Sequence, residues 1–183
     1  FAQTTRSAAQ SVQYPFAARV DADTGKVTPL LQDNLPASSD TTPITRGEVA
    51  ELLADSLADQ SAAEQPALAR FTDVTPGSTQ ADALAKLYDR GLLNGYADGS
   101  YHPDAHITRA EFCVIASALS EDTAADGAPS FTDVPGGHWA HDVIARMAAQ
   151  GILQGDGDGT FRPEDPITHQ EATLILQRLS AAV

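Results

Sequence analysis

The sequence predicts a mainly α-helical array of repeats, with three helices gathered into a central bundle, and three observations carry this. Residues 71–119 and 131–179 repeat one another at a constant offset of 60 residues. A Thr-x-x-Glu box opens an apolar helical stripe three times, at Thr45, Thr108 and Thr168. Hydrophobic residues make up 42% of the 183, too many for wholesale disorder, whereas aromatics are only 6%, so the core must be closely packed from small side chains.

Residues 1–10 read as a polar, frayed lead-in. Phe16–Val20 and Lys26–Leu30 flank Asp21-Ala22-Asp23-Thr24-Gly25, which suits a small N-terminal β-hairpin. Leu30-Leu31-Gln32 ahead of Ile44-Thr45-Arg46-Gly47-Glu48 is the back half of a degenerate first copy, one residue shorter than the others. The complete copies open on Phe71-Thr72-Asp73-Val74 and Phe131-Thr132-Asp133-Val134. The same register pairs Gly91 with Gly151, Gly95 with Gly155, Asp98 with Asp158, Pro103 with Pro163, and Glu111 with Glu171. Chance does not align so many turn residues, so the expected units are 1–62, 63–122 and 123–183 of one domain.

Each complete unit reads helix, turn, helix. Leu84 and Leu87, then Ala140, Val143, Ile144 and Met147, keep helical spacing up to Gly91 and Gly151. Asp-Gly pairs then favour a turn with positive φ, and Tyr101 and Phe161 anchor it to the core. Pro103 and Pro163 keep the approach to the second helix extended. At that helix, Thr45, Thr108 and Thr168 cap the start while Glu48, Glu111 and Glu171 reach back, which explains the glutamates structurally, beside a direct ligand role. Three such amphipathic helices cannot bury their stripes alone and pack into a bundle.

Arg46, Arg109 and His169 follow the capping threonines. A cation at a helix N-terminus opposes the helix dipole at a cost of about 0.3–1 kcal/mol. Either it lies over apolar surface or pairs with an aspartate, or guanidinium and free helix amides together form an anion pocket for a carboxylate or phosphate. Trp139 is either core or a surface for stacking on sugar rings. Asp73 and Asp133 either cap the first helix or accept hydrogen bonds from sugar hydroxyls.

Several function classes are excluded. Eleven Lys+Arg against 25 Asp+Glu give a formal charge of −14, unsuited to nucleic acid or an anionic membrane surface. No run approaches the roughly 20 apolar residues that insert through a bilayer. The N-terminus lacks a signal-peptide layout, so any export signal is expected to have been removed. Cys113, the single cysteine, sits in Phe112-Cys113-Val114-Ile115 as a buried structural thiol. Asp156-x-Asp158-x-Thr160 begins like a calcium loop, but Phe161 and Ile167 occupy the positions that need Gly and Glu. His138, His141, His102 and His106 lack a matched third zinc ligand or a catalytic glutamate, so no metal, no cofactor and no enzyme activity is expected.

Taken in order, Phe-x-Asp-Val, Trp-Ala or its equivalent, Gly-Ile/Leu-Leu-x-Gly, Asp-Gly-Thr/Ser-Phe/Tyr-x-Pro and Ile-Thr-Arg-Ala-Glu resemble the S-layer homology (SLH) repeat. The resemblance covers 71–119 and 131–179 well and 30–58 in part. It implies a pseudo-threefold assembly with grooves between its prongs. It further implies a non-catalytic anchoring module, secreted to the bacterial cell surface, that binds secondary cell-wall polymer or peptidoglycan-linked glycan, with other surface-layer proteins as further partners. In similar domains the arginine of the Thr-Arg motif engages the acidic group of the glycan, a role that falls on Arg46 and Arg109; His169 replaces it in the third motif, where a groove would be weak or need protonated histidine. Asp73, Asp133, Trp139, Gly95 and Tyr96 are then implied as groove residues. Thr79 in place of a second tryptophan, Asp156 in place of Tyr96, and a first copy without Phe-x-Asp-Val reduce the expectation to at most two competent grooves. The alternative is a structural or protein-interaction module of a surface assembly that binds no glycan.

Overall fold

The computed structural model describes residues 37–57, 71–119 and 130–181, and in them it shows five helices and no extended strand. These are α1 (Arg46–Ser56), α2 (Thr79–Asp89), α3 (Arg109–Ser117), α4 (His141–Ala149) and α5 (His169–Ala181). The hairpin expected over 16–30 and the lead-in 1–10 lie outside the described residues.

The three capping boxes form. Glu48, Glu111 and Glu171 donate their amides to the hydroxyls of Thr45, Thr108 and Thr168 at 3.3, 3.2 and 3.2 Å. Each glutamate carboxylate accepts in return from its threonine's amide, at 2.8, 2.8 and 3.0 Å. The glutamates therefore hold α1, α3 and α5 at their starts.

Immediately before those boxes the chain closes on itself. Ile44 N donates to Ile167 O (3.0 Å), Ile167 N to Ile107 O (3.1 Å), and Ile107 N to Ile44 O (3.4 Å). Three isoleucines, one per copy, thus form a cyclic set of backbone bonds, and all three side chains are buried. The next amides continue the pattern. Arg46 N and Gly47 N donate to Ala105 O and Pro103 O; Arg109 N and Ala110 N donate to Asp165 O and Pro163 O; His169 N and Gln170 N donate to Thr42 O and Asp40 O. Each helix start is seated on the loop of the next copy, and the last copy is seated on the first. This is the pseudo-threefold arrangement, with the incomplete first copy holding a full place in it.

Below the ring the helices share one core. Val49, Ala50 and Leu53 of α1, Phe112, Cys113 and Ala116 of α3, and Ala172, Leu176 and Leu179 of α5 are buried in the same cluster. Helix α2 packs on α1 and α4 on α3, with Leu84, Leu87, Ile144 and Met147 buried in the shared core. The many alanines let these helices approach closely.

The Phe-x-Asp-Val segment is a clip, where a helix cap was one of the expectations. Ser78, not Asp73, caps α2, and α4 starts without a side-chain cap. Asp73 Oδ1 and Oδ2 instead accept from Tyr101 N (2.8 Å) and His102 N (2.7 Å), and Asp133 takes Phe161 N (2.9 Å) and Arg162 N (2.7 Å). Phe71 packs on Tyr101 and Phe131 on Phe161, while Thr72 N and Thr132 N donate to Gly99 O and Gly159 O. The clip bends the backbone beyond what proline alone dictates. His102 and Arg162, each preceding a proline, lie at φ 57° and 56°, where extended backbone was expected. Two amides pointed at one carboxylate outweigh the local preference.

The clip aspartates make stability acid-sensitive. Burial pushes the carboxyls of Asp73 and Asp133 upward, but the backbone amides they accept from more than offset it, so both lie below the ordinary value. A carboxyl depressed in the folded state contributes fully above its unfolded value, and that contribution is lost as pH falls through the lower folded value. Thermal melts between pH 6 and 2 are expected to show the melting temperature holding down to about pH 4 and falling below it. Asp133→Asn should melt lower at pH 6 and show a smaller acid-induced fall.

Candidate functional site

The cyclic seating creates three junctions, each with a motif cation from one copy against the loop of the next. They are chemically unlike.

At the first junction Arg46 is buried, 8% exposed. Its guanidinium lies between two tyrosine rings, 5.1 Å from the centre of Tyr96 and 4.9 Å from that of Tyr101. Nε donates to Tyr101 O (3.0 Å), and the Tyr101 hydroxyl donates back to Arg46 O (3.2 Å). Burial pushes that hydroxyl up to about 12, so it remains a donor. Nη1 is buried and donates to no partner, and Arg46 forms no ion pair among the described residues. A buried charged donor left unpaired is costly, and the two rings offset only part of that cost.

At the second junction Arg109 has the same backbone setting and burial, 7% exposed. Nε donates to Phe161 O (2.9 Å) and the guanidinium lies 4.7 Å from the Phe161 ring centre. Here, however, Nη1 donates to Oε1 of Glu171, the capping glutamate of the next helix. Where Tyr96 stands at the first junction, Asp156 stands here, bound by Arg162 through Nε (2.6 Å) and Nη2 (3.0 Å). The charges of this junction are satisfied internally.

At the third junction His169 Nδ1 lies 3.2 Å from Thr42 O and 3.8 Å from Asp40 Oδ2, and Nε2 lies 3.7 Å from Glu48 Oε2. Two carboxylates already flank the ring, which disfavours an incoming anion.

The other candidates fall as follows. Tyr96 lies beside Arg46 and is 39% exposed, while Gly95 is packed against Phe71 and the Ser100 carbonyl. Asp73 and Asp133 are committed to their clips. Trp139 precedes α4 with its indole 52% exposed and stacked on His138, so it is surface and not core. Cys113 is buried, its thiol pushed up to about 12 by burial. Among the described residues no three His, Cys, Asp or Glu side chains gather to hold a metal, and no helix is long and apolar enough to cross a membrane. The anion pocket of guanidinium plus free helix amides does not form as expected. The first amides of α1, α3 and α5 already donate to neighbouring carbonyls, leaving the side chains alone. Sequence reasoning missed Glu171 as partner of Arg109 and Tyr101 as partner of Arg46; the repeated aromatic after each turn was the available signal.

Comparison with known proteins agrees with this architecture. The S-layer homology domain model matches residues 70–113 and 130–173. A cellulosome-anchoring protein of Acetivibrio thermocellus is 33% identical over 141 residues, which is 74% of this chain and 31% of that protein. The outer membrane protein SlpA of Deinococcus radiodurans is 40% identical over 72 residues, 39% of this chain and 6% of that one. An amylopullulanase of Thermoanaerobacterium thermosulfurigenes is 34% identical over 97 residues, 53% and 5% respectively. The chain spans about a third or less of the length of these curated relatives.

Proposed function

Because residues 70–113 and 130–173 match the S-layer homology domain, we propose that this chain is a non-catalytic module that anchors its polypeptide at the bacterial cell surface. The ligand is a cell-wall glycan carrying an acidic group, secondary cell-wall polymer or peptidoglycan-linked, and the binding cleft is the one at Arg46. The relatives support the anchoring half. Proteins as unlike as an anchoring protein, an outer membrane protein and an amylopullulanase each match part of this chain, which favours a shared attachment role over a shared reaction.

The observation that carries the glycan half is the contrast between the two arginines. Arg109 is neutralised by Glu171, while Arg46 keeps a buried nitrogen without a partner beside a half-exposed tyrosine. An anionic oxygen entering past Tyr96 would supply the missing acceptor as a charge-assisted hydrogen bond. With a net charge of −14 on the chain, long-range attraction to an anionic polymer is absent, and recognition is local.

The test is co-sedimentation with isolated bacterial sacculi, before and after their acidic polymer is extracted. Wild type should pellet with intact sacculi only. Arg46→Ala should lose at least about tenfold in affinity, the scale of one charged hydrogen bond, whereas Arg109→Ala retains binding. Equal pelleting of Arg46→Ala and wild type would mean that the cleft is not the site. Failure of wild type to pellet at all would favour the protein-interaction reading.

A further inference from the structure

We propose that His102 is a positioning residue for the Arg46 cleft, and that its protonation strengthens capture of an acidic glycan there. The proposal rests on the reading of that cleft as the binding site. It starts from a substitution between the copies. Positions 96 and 102 face each other across the turn as Tyr96 and His102, with ring centres 4.8 Å apart, and at the equivalent places as Asp156 and Arg162, joined by an ion pair. The same turn is thus braced by rings in one copy and by charges in the other. In the ring version the brace is also the wall beside Arg46, because Tyr96 stands over the guanidinium.

The hydrogen bonds assign the proton. Ser100 Oγ donates to Asp98 Oδ1 (2.6 Å), so at its 3.0 Å contact with His102 Nε2 it acts as acceptor and Nε2 carries hydrogen. Neutral His102 then has a bare Nδ1 facing Asp73 Oδ2 at 3.5 Å, an acceptor against an acceptor. Protonation turns that contact into an ion pair. The groups around the imidazole are Asp98, through Ser100, on its own turn, Asp73 on the clip, Tyr96 across the turn, and Arg46 of α1 in contact with Tyr96. The imidazole lies against Tyr96, which also contacts Arg46, so an acidic ligand passing Tyr96 meets a second cation.

The experiment compares sacculus binding at pH 5.5 and 7.5 for wild type and His102→Asn, asparagine being chosen because it tolerates the left-handed backbone found there. Wild type should bind roughly two- to fivefold more tightly at pH 5.5, the effect of one partly exposed charge, and His102→Asn should lose that ratio while keeping its dependence on Arg46. Calorimetry of wild type with the extracted acidic polymer, in two buffers of different ionisation enthalpy near pH 6.5, should report proton uptake on binding. This second measurement stands even if the variant folds poorly. Arg46-dependent binding with the same pH ratio in both proteins, or without proton uptake, overturns the role of His102 and leaves the cleft assignment intact. Binding indifferent to Arg46 overturns both.

Discussion

Ile107→Ala is expected to destabilise the protein by about 2–5 kcal/mol, the cost of a large cavity that cannot collapse. Ile107 is 1% exposed and sits on the axis with Ile44 and Ile167, each fixed by giving one backbone hydrogen bond and taking one. A rigid ring has little freedom to close over a missing side chain, so the loss belongs at the upper end for Leu/Ile→Ala changes. In a chain of this size that is a melting temperature lower by roughly 4–20 °C. Ile44→Ala and Ile167→Ala should behave alike despite the divergence of the first copy. Urea melts of the three variants check this. A cost below 1 kcal/mol at any one position would show that the axis is not tightly packed.

The second large effect is expected at Gly95 and Gly155. A Cβ on Gly95 would run into Phe71 Cε1 and meet Ser100 O at 2.5 Å, and one on Gly155 would meet Thr160 O at 2.5 Å and Phe131 Cε1 at 2.6 Å. Neither neighbour can yield. The carbonyl accepts from the next residue's amide within the turn, and the phenylalanine is held by the clip. Gly95→Ala and Gly155→Ala should therefore each cost about 1–3 kcal/mol by overpacking. The two differ in a useful way: Gly95→Ala displaces the turn that carries Tyr96 and should also weaken sacculus binding, whereas Gly155→Ala should change stability alone. Equal binding losses in both would place the ligand across both junctions.

What the sequence made legible was local. The capping boxes span four residues, and threonine, glutamate and the following stripe state the start of α1, α3 and α5 outright. The clip did not show itself, because its donor and acceptor lie 28 and 29 residues apart. The aspartates invited a capping role that Ser78 fills at α2 and that no side chain fills at α4. For the same reason Pro103 and Pro163 misled: their steric preference is real, but the carboxylate acting on the preceding residue arrives from the other half of the repeat. The site shows the limit most clearly. Arg46 and Arg109 occupy equivalent places in matching motifs, and their difference lies in residues from another copy, with Glu171 62 positions from Arg109. Similar local sequence produced one saturated arginine and one unsatisfied arginine.

The isoleucine ring also fixes how this architecture can grow. Stacked solenoids lengthen by one unit at a time, because each end unit still offers a free face. Here every member is already both giver and receiver, so a fourth copy would arrive at a closed circuit with nothing to dock upon. Duplication within such a lineage must proceed by whole triplets, and a lost copy must be replaced by something that still contributes one amide and one carbonyl at the hub. That is the role the shortened first unit fulfils.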